Sequence, residues 1–290
     1  MLLNLIRKKL KLFFPLLRFI SFIKLNIISN NKGRLRILIF HDIPPEDEST
    51  FSNLLIWLSK RWNFITPSEF EKIIKGELSN QEDNLLLTFD DGFRSSFVVA
   101  EKYLNPMNIK ALFFVVSDFI SINDPIKSKK FITENIIPGM SSDLLPKHMF
   151  NMSWNDLRLL VEQGHLIGAH TKTHAKTSEI SSLNKLENEI IDSANYMGEK
   201  LGYDIRHFAF TFGDFSSMSK QALKIASKRF DYIHTGLRGN NSFGINKWAI
   251  RRDPANLADS FWLQGSFLEG LADWRYVNDL LNYESWISNN

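Results

Sequence analysis

The sequence predicts an α/β fold built from parallel strands, and three observations support this prediction. Short apolar runs alternate with segments of helical periodicity along most of the chain. Chemically functional polar residues directly follow several of the apolar runs, as they do where strands end in such folds. The 290 residues, 44% of them hydrophobic, suffice for one large domain or two small ones. The pattern alone leaves open whether the sheet stays open or closes into a barrel.

Six apolar runs are interpreted as strands, and most of them end at a polar residue or a glycine. The first run ends at His41, the second at Asp90 and Asp91, the fourth at His170 and the fifth at Gly213. Because parallel strands end at one edge of a sheet, we expect these residues to share one face of the fold. The predicted strands are 36–40, 85–89, 111–116, 165–169, 208–212 and 232–235.

The segments between these runs have helical periodicity and recognisable ends. Thr66, Pro67 and Glu69 form a helix start with an N-cap, a first-turn proline and an early acid. Ser153 is the N-cap of another predicted helix. The predicted helices are 49–62, 95–104, 153–163, 182–201 and 219–229, together with the helix that starts at Thr66. Residues 117–152 are polar and contain three prolines, which predicts a long irregular loop.

Residues 1–33 are predicted to form a basic, amphipathic N-terminal segment, separate from a folded domain over residues 34–290. Residues 1–41 hold nine lysines and arginines and no acid, which leaves 26 bases and 32 acids in the rest of the chain. The uncharged run 12–17, like every other uncharged run there, is far shorter than the about 20 residues that span a membrane. No apolar core is followed by a small-residue cleavage site, so a cleavable signal peptide is not predicted.

Two interpretations of this N-terminal segment remain open. Residues 1–30 suit a helix that lies on an anionic membrane surface, with the apolar side chains inserted and the bases facing the headgroups. The same pattern suits a helix packed on the domain with its bases in solvent. We therefore expect a cytoplasmic or membrane-associated protein.

Composition and missing motifs exclude several function classes. The absence of cysteine excludes thiolate metal sites and cysteine nucleophiles. There is no G-x-S-x-G elbow of a serine hydrolase, no P-loop and no G-x-G-x-x-G run. Nucleic acid is not expected as a partner, because the folded domain is net acidic and the bases concentrate at one end.

Two short motifs carry the candidate chemistry. Thr88–Gly92 contains the adjacent carboxylates of Asp90 and Asp91, and His170–His174 contains two imidazoles four residues apart. Each motif alone has an ordinary explanation, because aspartates often cap helices and paired histidines often bind nothing. Together they offer three ligands for one divalent metal and a fourth group to act as a base. Such a set can hydrolyse an amide or an ester.

These motifs resemble those of the polysaccharide deacetylase family, the chitooligosaccharide deacetylase-like domain of carbohydrate esterase family four. T-F-D-D-G stands intact at 88–92 and H-[ST]-x-x-H at 170–174. The resemblance extends over roughly residues 36–232 and includes the acidic segment around Glu189 and Ile190. It implies a distorted (β/α) barrel of about seven parallel strands, with residues 34–290 as the catalytic domain.

The resemblance also assigns roles to individual residues. Asp90 would be the general base, and a divalent metal would be bound by Asp91, His170 and His174. Zinc is the expected metal, with cobalt, nickel and manganese as alternatives. The backbone N–H of Phe212 would donate to the oxyanion, a role that does not depend on the side chain.

The chain departs from the family pattern at several positions. Ala209 stands where many members have the arginine that braces the base, and Thr211 stands where proline is usual. The C-terminal Leu-x-x-His pattern of the usual proton donor is missing, so His41 at the end of the first strand is the predicted general acid. Asp42 and Arg252 are predicted to bind substrate. His148, His165 and His207 are expected at the surface or in the core, and His234 is a lesser candidate for lining the pocket.

The resemblance implies a metal-dependent hydrolase that removes N-acetyl groups from an amino sugar in a glycan or glycoconjugate. Its substrate partner would be an N-acetylated saccharide. The altered third motif and the missing C-terminal histidine keep an alternative open, namely a non-catalytic carbohydrate-binding or scaffold member of the family.

Overall fold

A computed structural model describes residues 33–241 and 244–288, together with Pro15. The N-terminal segment predicted over residues 1–33 lies almost wholly outside the described residues. Within the described part of the chain, no helix has both the length and the apolar character needed to cross a membrane.

Parallel strands form one curled sheet, which confirms the predicted fold class. Seven strands lie in the order β7-β6-β5-β4-β3-β1-β8, and the short β2 pairs with β3 at the side of this path. Every pairing between these strands is parallel. The strands are β1 (Leu35–Phe40), β2 (Asn63–Phe64), β3 (Asn84–Phe89), β4 (Ala111–Val115), β5 (Leu166–Ala169), β6 (His207–Ala209), β7 (Tyr232–His234) and β8 (Asp253–Pro254).

Helices connect the strands and cover the outside of the sheet. The capping box predicted at Thr66 and Glu69 is present, and Ser153 forms a second capping box with Asp156. The α-helices are Glu48–Ser59, Pro67–Lys75, Arg94–Val99, Ser117–Ile120, Pro125–Phe131, Trp154–Glu162, Leu183–Glu187, Ser193–Leu201, Lys220–Arg229, Phe261–Leu268 and Val277–Ser288. Continuous with some of these are the π-helical turns Ala100–Leu104, Ile132–Ile136 and Asn188–Asp192.

The prediction of an irregular loop over residues 117–152 is wrong. This segment contains the helices Ser117–Ile120 and Pro125–Phe131 and the π-helical turn Ile132–Ile136. Its own apolar cluster holds it in place, with Phe119 against Phe93 at 5.7 Å and Phe131 stacked on Phe119 at 5.3 Å between ring centroids. The prolines stand at helix ends, where a proline is tolerated, so they did not indicate the absence of helix.

The core lies between the sheet and its helices and is rich in aromatic side chains. Phe89 of β3 stacks on Phe113 of β4 at 4.9 Å and on Phe40 of β1 at 5.5 Å. All three side chains are almost completely buried. Burial of such large rings provides much of the driving force for folding.

One C-terminal segment closes the two edges of the curled sheet. Ile250 forms a parallel bridge with His234 of β7, and three residues later Asp253 pairs with Leu38 of β1. Buried charges lock this closure, because the guanidinium of Arg36 donates to Asp253 at 2.6 and 2.9 Å. Residues 250–254 therefore bring the C-terminal part of the chain beside the first strand.

Candidate active site

All the predicted site residues line one pocket of about 500 Å³ at the carboxyl ends of the strands. Its polar lining includes His41, Asp42, Asp90, Asp91, His170, His174 and Arg252, and Phe212 is part of its rim. Apolar side chains from the 117–152 segment, including Ile136, Ile137 and Met149, form one wall.

Asp90 is a buried carboxylate paired with an arginine. Its backbone N–H donates to Phe40 O at 2.9 Å, which extends the pairing of β3 with β1 by one residue. Nη1 and Nη2 of Arg252 donate to Oδ1 and Oδ2 of Asp90 at 2.7 and 2.9 Å. Such two-pronged, charge-assisted contacts fix both the position and the orientation of a carboxylate.

Arg252 has little capacity left for a substrate. Its Nε donates to Thr235 O at 3.0 Å, Nη1 also contacts Thr88 Oγ1, and the guanidinium lies over the ring of Phe114. The side chain is only 1% exposed. The structure shows Arg252 in contact with Asp90, and its contact to substrate stays a prediction. By the resemblance, many members would have the arginine for this carboxylate at the position of Ala209.

Asp91 and the two histidines bring their donor atoms together. Asp91 Oδ1 lies 3.5 Å from His170 Nε2 and 3.3 Å from His174 Nε2. One ligand atom from each of the three residues lies within 4.8 Å of the others. Asp91 Oδ1 is buried and has no hydrogen-bond partner among the described residues. A buried carboxylate oxygen without a partner is costly, and a cation would satisfy it.

The ring nitrogens of both histidines are oriented for metal binding. Nδ1 of His170 donates to Ala209 O at 2.9 Å, and Nδ1 of His174 donates to Asn135 O at 2.9 Å. Because a carbonyl only accepts, the proton of each neutral ring sits on Nδ1 and leaves the Nε2 lone pair toward Asp91. This is the tautomer that a metal needs, so the three residues fit a divalent cation.

The charges of this cluster shift its pKa values in the expected directions. Burial raises the pKa of the Asp91 carboxyl, but the imidazoles of His170 and His174 outweigh it and hold that pKa well below its ordinary value. Burial lowers the pKa of His174, but the negative charge of Asp91 outweighs this effect, and that pKa is raised. The carboxylate therefore stays ionised at neutral pH and is ready to act as a ligand.

The backbone around the site is held in unusual conformations. Among the described residues, five that are not glycine have a positive φ. Four of these five belong to the site: Asp91, Thr171, His174 and Phe212. Each such residue costs on the order of 1–3 kcal/mol and persists only where its surroundings enforce it. Gly92 has a φ of 99°, and a Cβ there would lie 2.7 Å from Cδ1 of Ile120. Only glycine fits that position.

Phe212 and His41 both line the pocket. The ring of Phe212 is 47% exposed and lies 4.7 Å from the ring of His174. In the described part of the chain, no hydrogen bond from the backbone N–H of Phe212 is found, so this donor is available to a ligand. His41 is exposed and directly follows β1.

Both carboxylate oxygens of Asp42 contact other side chains of the protein. Ser95 Oγ donates to its Oδ1 at 2.7 Å, and His148 Nε2 lies 2.9 Å from its Oδ2. His148 belongs to the 117–152 segment, so this contact fastens that segment to the pocket rim. The sequence had no signal for the contact, because His148 lies 106 residues from Asp42 and belongs to no recognisable motif.

Comparison with known proteins agrees with this geometry. A family model described as polysaccharide deacetylase matches residues 78–230, more than half of the chain. The chain belongs to the polysaccharide deacetylase family. The intact T-F-D-D-G and H-[ST]-x-x-H motifs lie within the matched range. Among curated proteins, none is similar enough in sequence to count as a match.

Solved structures show the same fold as this family member. IcaB from Ammonifex degensii matches with a TM-score of 0.65 at 19% identity, over 82% of this chain and 98% of that protein. The Streptococcus pyogenes deacetylase PplD, solved with acetate, matches with a TM-score of 0.65 at 17% identity, over 82% and 99%. The BpsB deacetylase domain from Bordetella bronchiseptica gives 0.59 at 18%, over 77% and 96%. These similarities support the curled deacetylase barrel.

Proposed function

We propose that the protein is a metal-dependent hydrolase that removes N-acetyl groups from an amino sugar of a glycan or glycoconjugate. The observation that carries the proposal is the division between the two aspartates. Arg252 holds Asp90, whereas Asp91 faces His170 and His174. This division supports a proton-transfer role for Asp90 and a cation-binding role for Asp91. Family membership supports a carbohydrate deacetylase as the general class.

Asp91, His170 and His174 would hold the divalent cation. Two imidazoles and a carboxylate suit zinc first, with cobalt, nickel and manganese as alternatives. When bound, the cation would lower the pKa of water and polarise the acetyl carbonyl. The carbonyl oxygens of Ala209 and Asn135 would keep both histidines in the ligand tautomer.

The remaining chemistry belongs to groups of the chain itself. Asp90 would accept a proton from the attacking water while the water oxygen bonds to the carbonyl carbon. The N–H of Phe212 would donate to the carbonyl oxygen as negative charge develops on it. His41 would give a proton to the nitrogen as the C–N bond breaks. The products are acetate and a free amino sugar.

The decisive experiment measures acetate release from a panel of N-acetylated sugars, free, polymeric and lipid-linked, with added zinc or cobalt. The variant Asp90→Asn should keep its metal and lose activity by about 10²–10⁴-fold. The exposed Asp143, changed to Asn, is the matched control and should keep full activity. A purified protein that neither contains nor takes up metal would contradict the proposal and favour the non-catalytic binding module.

Membrane contact through residues 1–30 remains part of the proposal for the full chain. It follows from the basic and apolar composition of that segment and lies outside the described residues. Fractionation of the chain with and without residues 1–30 tests it. The full chain should sediment with anionic vesicles and the shortened chain should not, and an unchanged distribution would contradict the contact.

A further inference from the structure

One carboxylate outside the pocket holds the loop that joins His170 to His174. Glu189 Oε2 accepts hydrogen bonds from the backbone N–H groups of Lys172 at 3.0 Å and Thr173 at 2.9 Å. Its Oε1 accepts a third hydrogen bond from Thr173 Oγ1 at 2.9 Å. A single half-buried side chain thus satisfies three donors of the three-residue connection between the two histidines.

The loop needs hydrogen bonds from outside because its own backbone conformation is energetically unfavourable. Thr171 and His174 have φ values of 62° and 65°, a region that side chains with a Cβ disfavour. No helix or strand includes residues 170–174. Conformations of this kind persist where the surroundings over-determine them. The bonds to Glu189 fall on the two residues that lie between the two positive-φ positions.

A local irregularity in a long helix directs Glu189 at the loop. The segments Leu183–Glu187, Asn188–Asp192 and Ser193–Leu201 follow one another without a break, and the middle one is a π-helical turn. Within that turn Asn188 Oδ1 also accepts from Lys172 Nζ at 3.1 Å, so two consecutive residues contact the loop. The next residue, Ile190, is fully buried and anchors the turn in the core. π-Helical turns inside α-helices often occur at functional sites.

We propose that Glu189 is a positioning residue for the metal centre, whose carboxylate sets the spacing of His170 and His174. Glu189 does not line the pocket, so it acts through the histidines and not on the substrate. Its task differs from that of the carbonyl groups of Ala209 and Asn135, which orient the imidazole rings. This inference rests on the proposed metal-binding function of the two histidines.

The test compares metal binding by full-length Glu189→Ala, Glu189→Gln and Glu187→Ala. Glu187 is exposed on the same helix and provides the matched control. Zinc affinity is measured by competition with a chelator, and the absorption spectrum of the cobalt-loaded protein reports ligand geometry. Glu189→Ala should bind zinc about 10–100-fold more weakly, with a shifted cobalt spectrum. Glu189→Gln keeps an acceptor for the two N–H groups and should recover most of the affinity, and Glu187→Ala should match the wild type.

Two results would overturn the inference. One is a folded Glu189→Ala protein with wild-type zinc affinity and an unchanged cobalt spectrum. The other comes from Thr173→Ala, which is used if Glu189→Ala fails to fold and which removes only the hydrogen bond to Oε1 of Glu189. This variant should still bind zinc several-fold more weakly, and wild-type zinc affinity would contradict the role of Glu189. A wild-type protein without zinc affinity would instead overturn the proposed metal site itself.

Discussion

Arg252 and Asp90 form a two-pronged ion pair across 162 residues of sequence, with N–O distances of 2.7 and 2.9 Å. The two side chains are only 1% and 4% exposed. The arginine that braces the proposed base therefore comes from the closing segment near β8, whereas the pattern of many family members would place it in β6. A different part of the chain supplies the same charge to the same carboxylate.

Removal of Arg252 should destabilise the fold as well as the site. In Arg252→Met the carboxylate of Asp90 stays buried without its partner, which costs about 3–5 kcal/mol. Urea unfolding of the metal-free protein measures this loss. The double variant Asp90→Asn/Arg252→Met should be more stable than Arg252→Met, because it no longer buries an unpaired charge. Arg275, exposed on the surface, is the control for loss of a positive charge. Equal stability of Arg252→Met and Arg275→Met would contradict this account.

The proton-donor role of His41 predicts a dependence on the leaving group. His41→Gln should lower kcat for an N-acetyl sugar by about 10²–10⁴-fold, because the amine must be protonated to leave. For an aryl acetate, whose leaving group needs no proton, the loss should be much smaller. The two kcat values are compared in one preparation. His148→Gln, which loosens Asp42 without removing the proposed donor, should affect both substrates alike. Equal losses for both substrates in His41→Gln would rule out the assignment.

Phe212→Gly tests whether the backbone or the ring matters. Loss of an oxyanion donor costs roughly 10²–10³-fold in kcat, and the glycine variant keeps the N–H, so its loss should be far smaller. Glycine also adopts the positive φ of 61° without strain, which should offset the lost ring contact with His174. Steady-state kinetics and thermal unfolding check both statements. A kcat reduced as strongly as by loss of the donor would show that the ring itself is needed.

Stability should fall in mild acid because of a buried histidine far from the metal cluster. His165 is fully buried, its Nδ1 accepts from Ala111 N at 3.0 Å, and burial with the nearby Lys110 charge lowers its pKa to about 4. The unfolded chain, with an ordinary pKa near 6.5, binds this proton first. Stability is thus complete above about pH 6.5 and is lost as pH falls toward 4, by up to about 3 kcal/mol.

Urea unfolding at pH 7 and pH 4.5 measures this dependence in the metal-free protein. His165→Gln should reduce the loss between the two values without abolishing it, since burial also lowers the pKa values of His207 and His234. An identical pH dependence in the variant and the wild type would contradict the role of His165.

The sequence predicted those elements whose signals are local. The apolar runs of β1, β3, β4 and β5 stand out because both faces of these strands are buried, and their ends coincide with the pocket. The helix that starts after Thr66 was recognisable because its capping box spans only four residues. The T-F-D-D-G and H-[ST]-x-x-H motifs are equally local, and they contain the cluster of Asp91, His170 and His174.

The contacts that were missed are those that only tertiary structure creates. β8 has two residues, one of them a buried aspartate, so nothing in its sequence indicates a strand. The ion pair between Asp253 and Arg36 holds it beside β1. The partner of Arg252 depends on that closure. The orienting oxygen of Asn135 belongs to the backbone, where residue type carries no information. In the 117–152 segment, prolines at helix ends resembled the prolines of a loop.

The closure of the sheet by residues 250–254 determines when the candidate site can be completed. His41, the proposed acid, follows the first strand. Arg252, which pairs with the proposed base, directly precedes β8, the last strand. A chain still being synthesised can already contain both motifs, yet the proposed base Asp90 lacks its partner until Arg252 has been added. The candidate site is therefore completed late in synthesis, when residues 250–254 pair with β1 and β7.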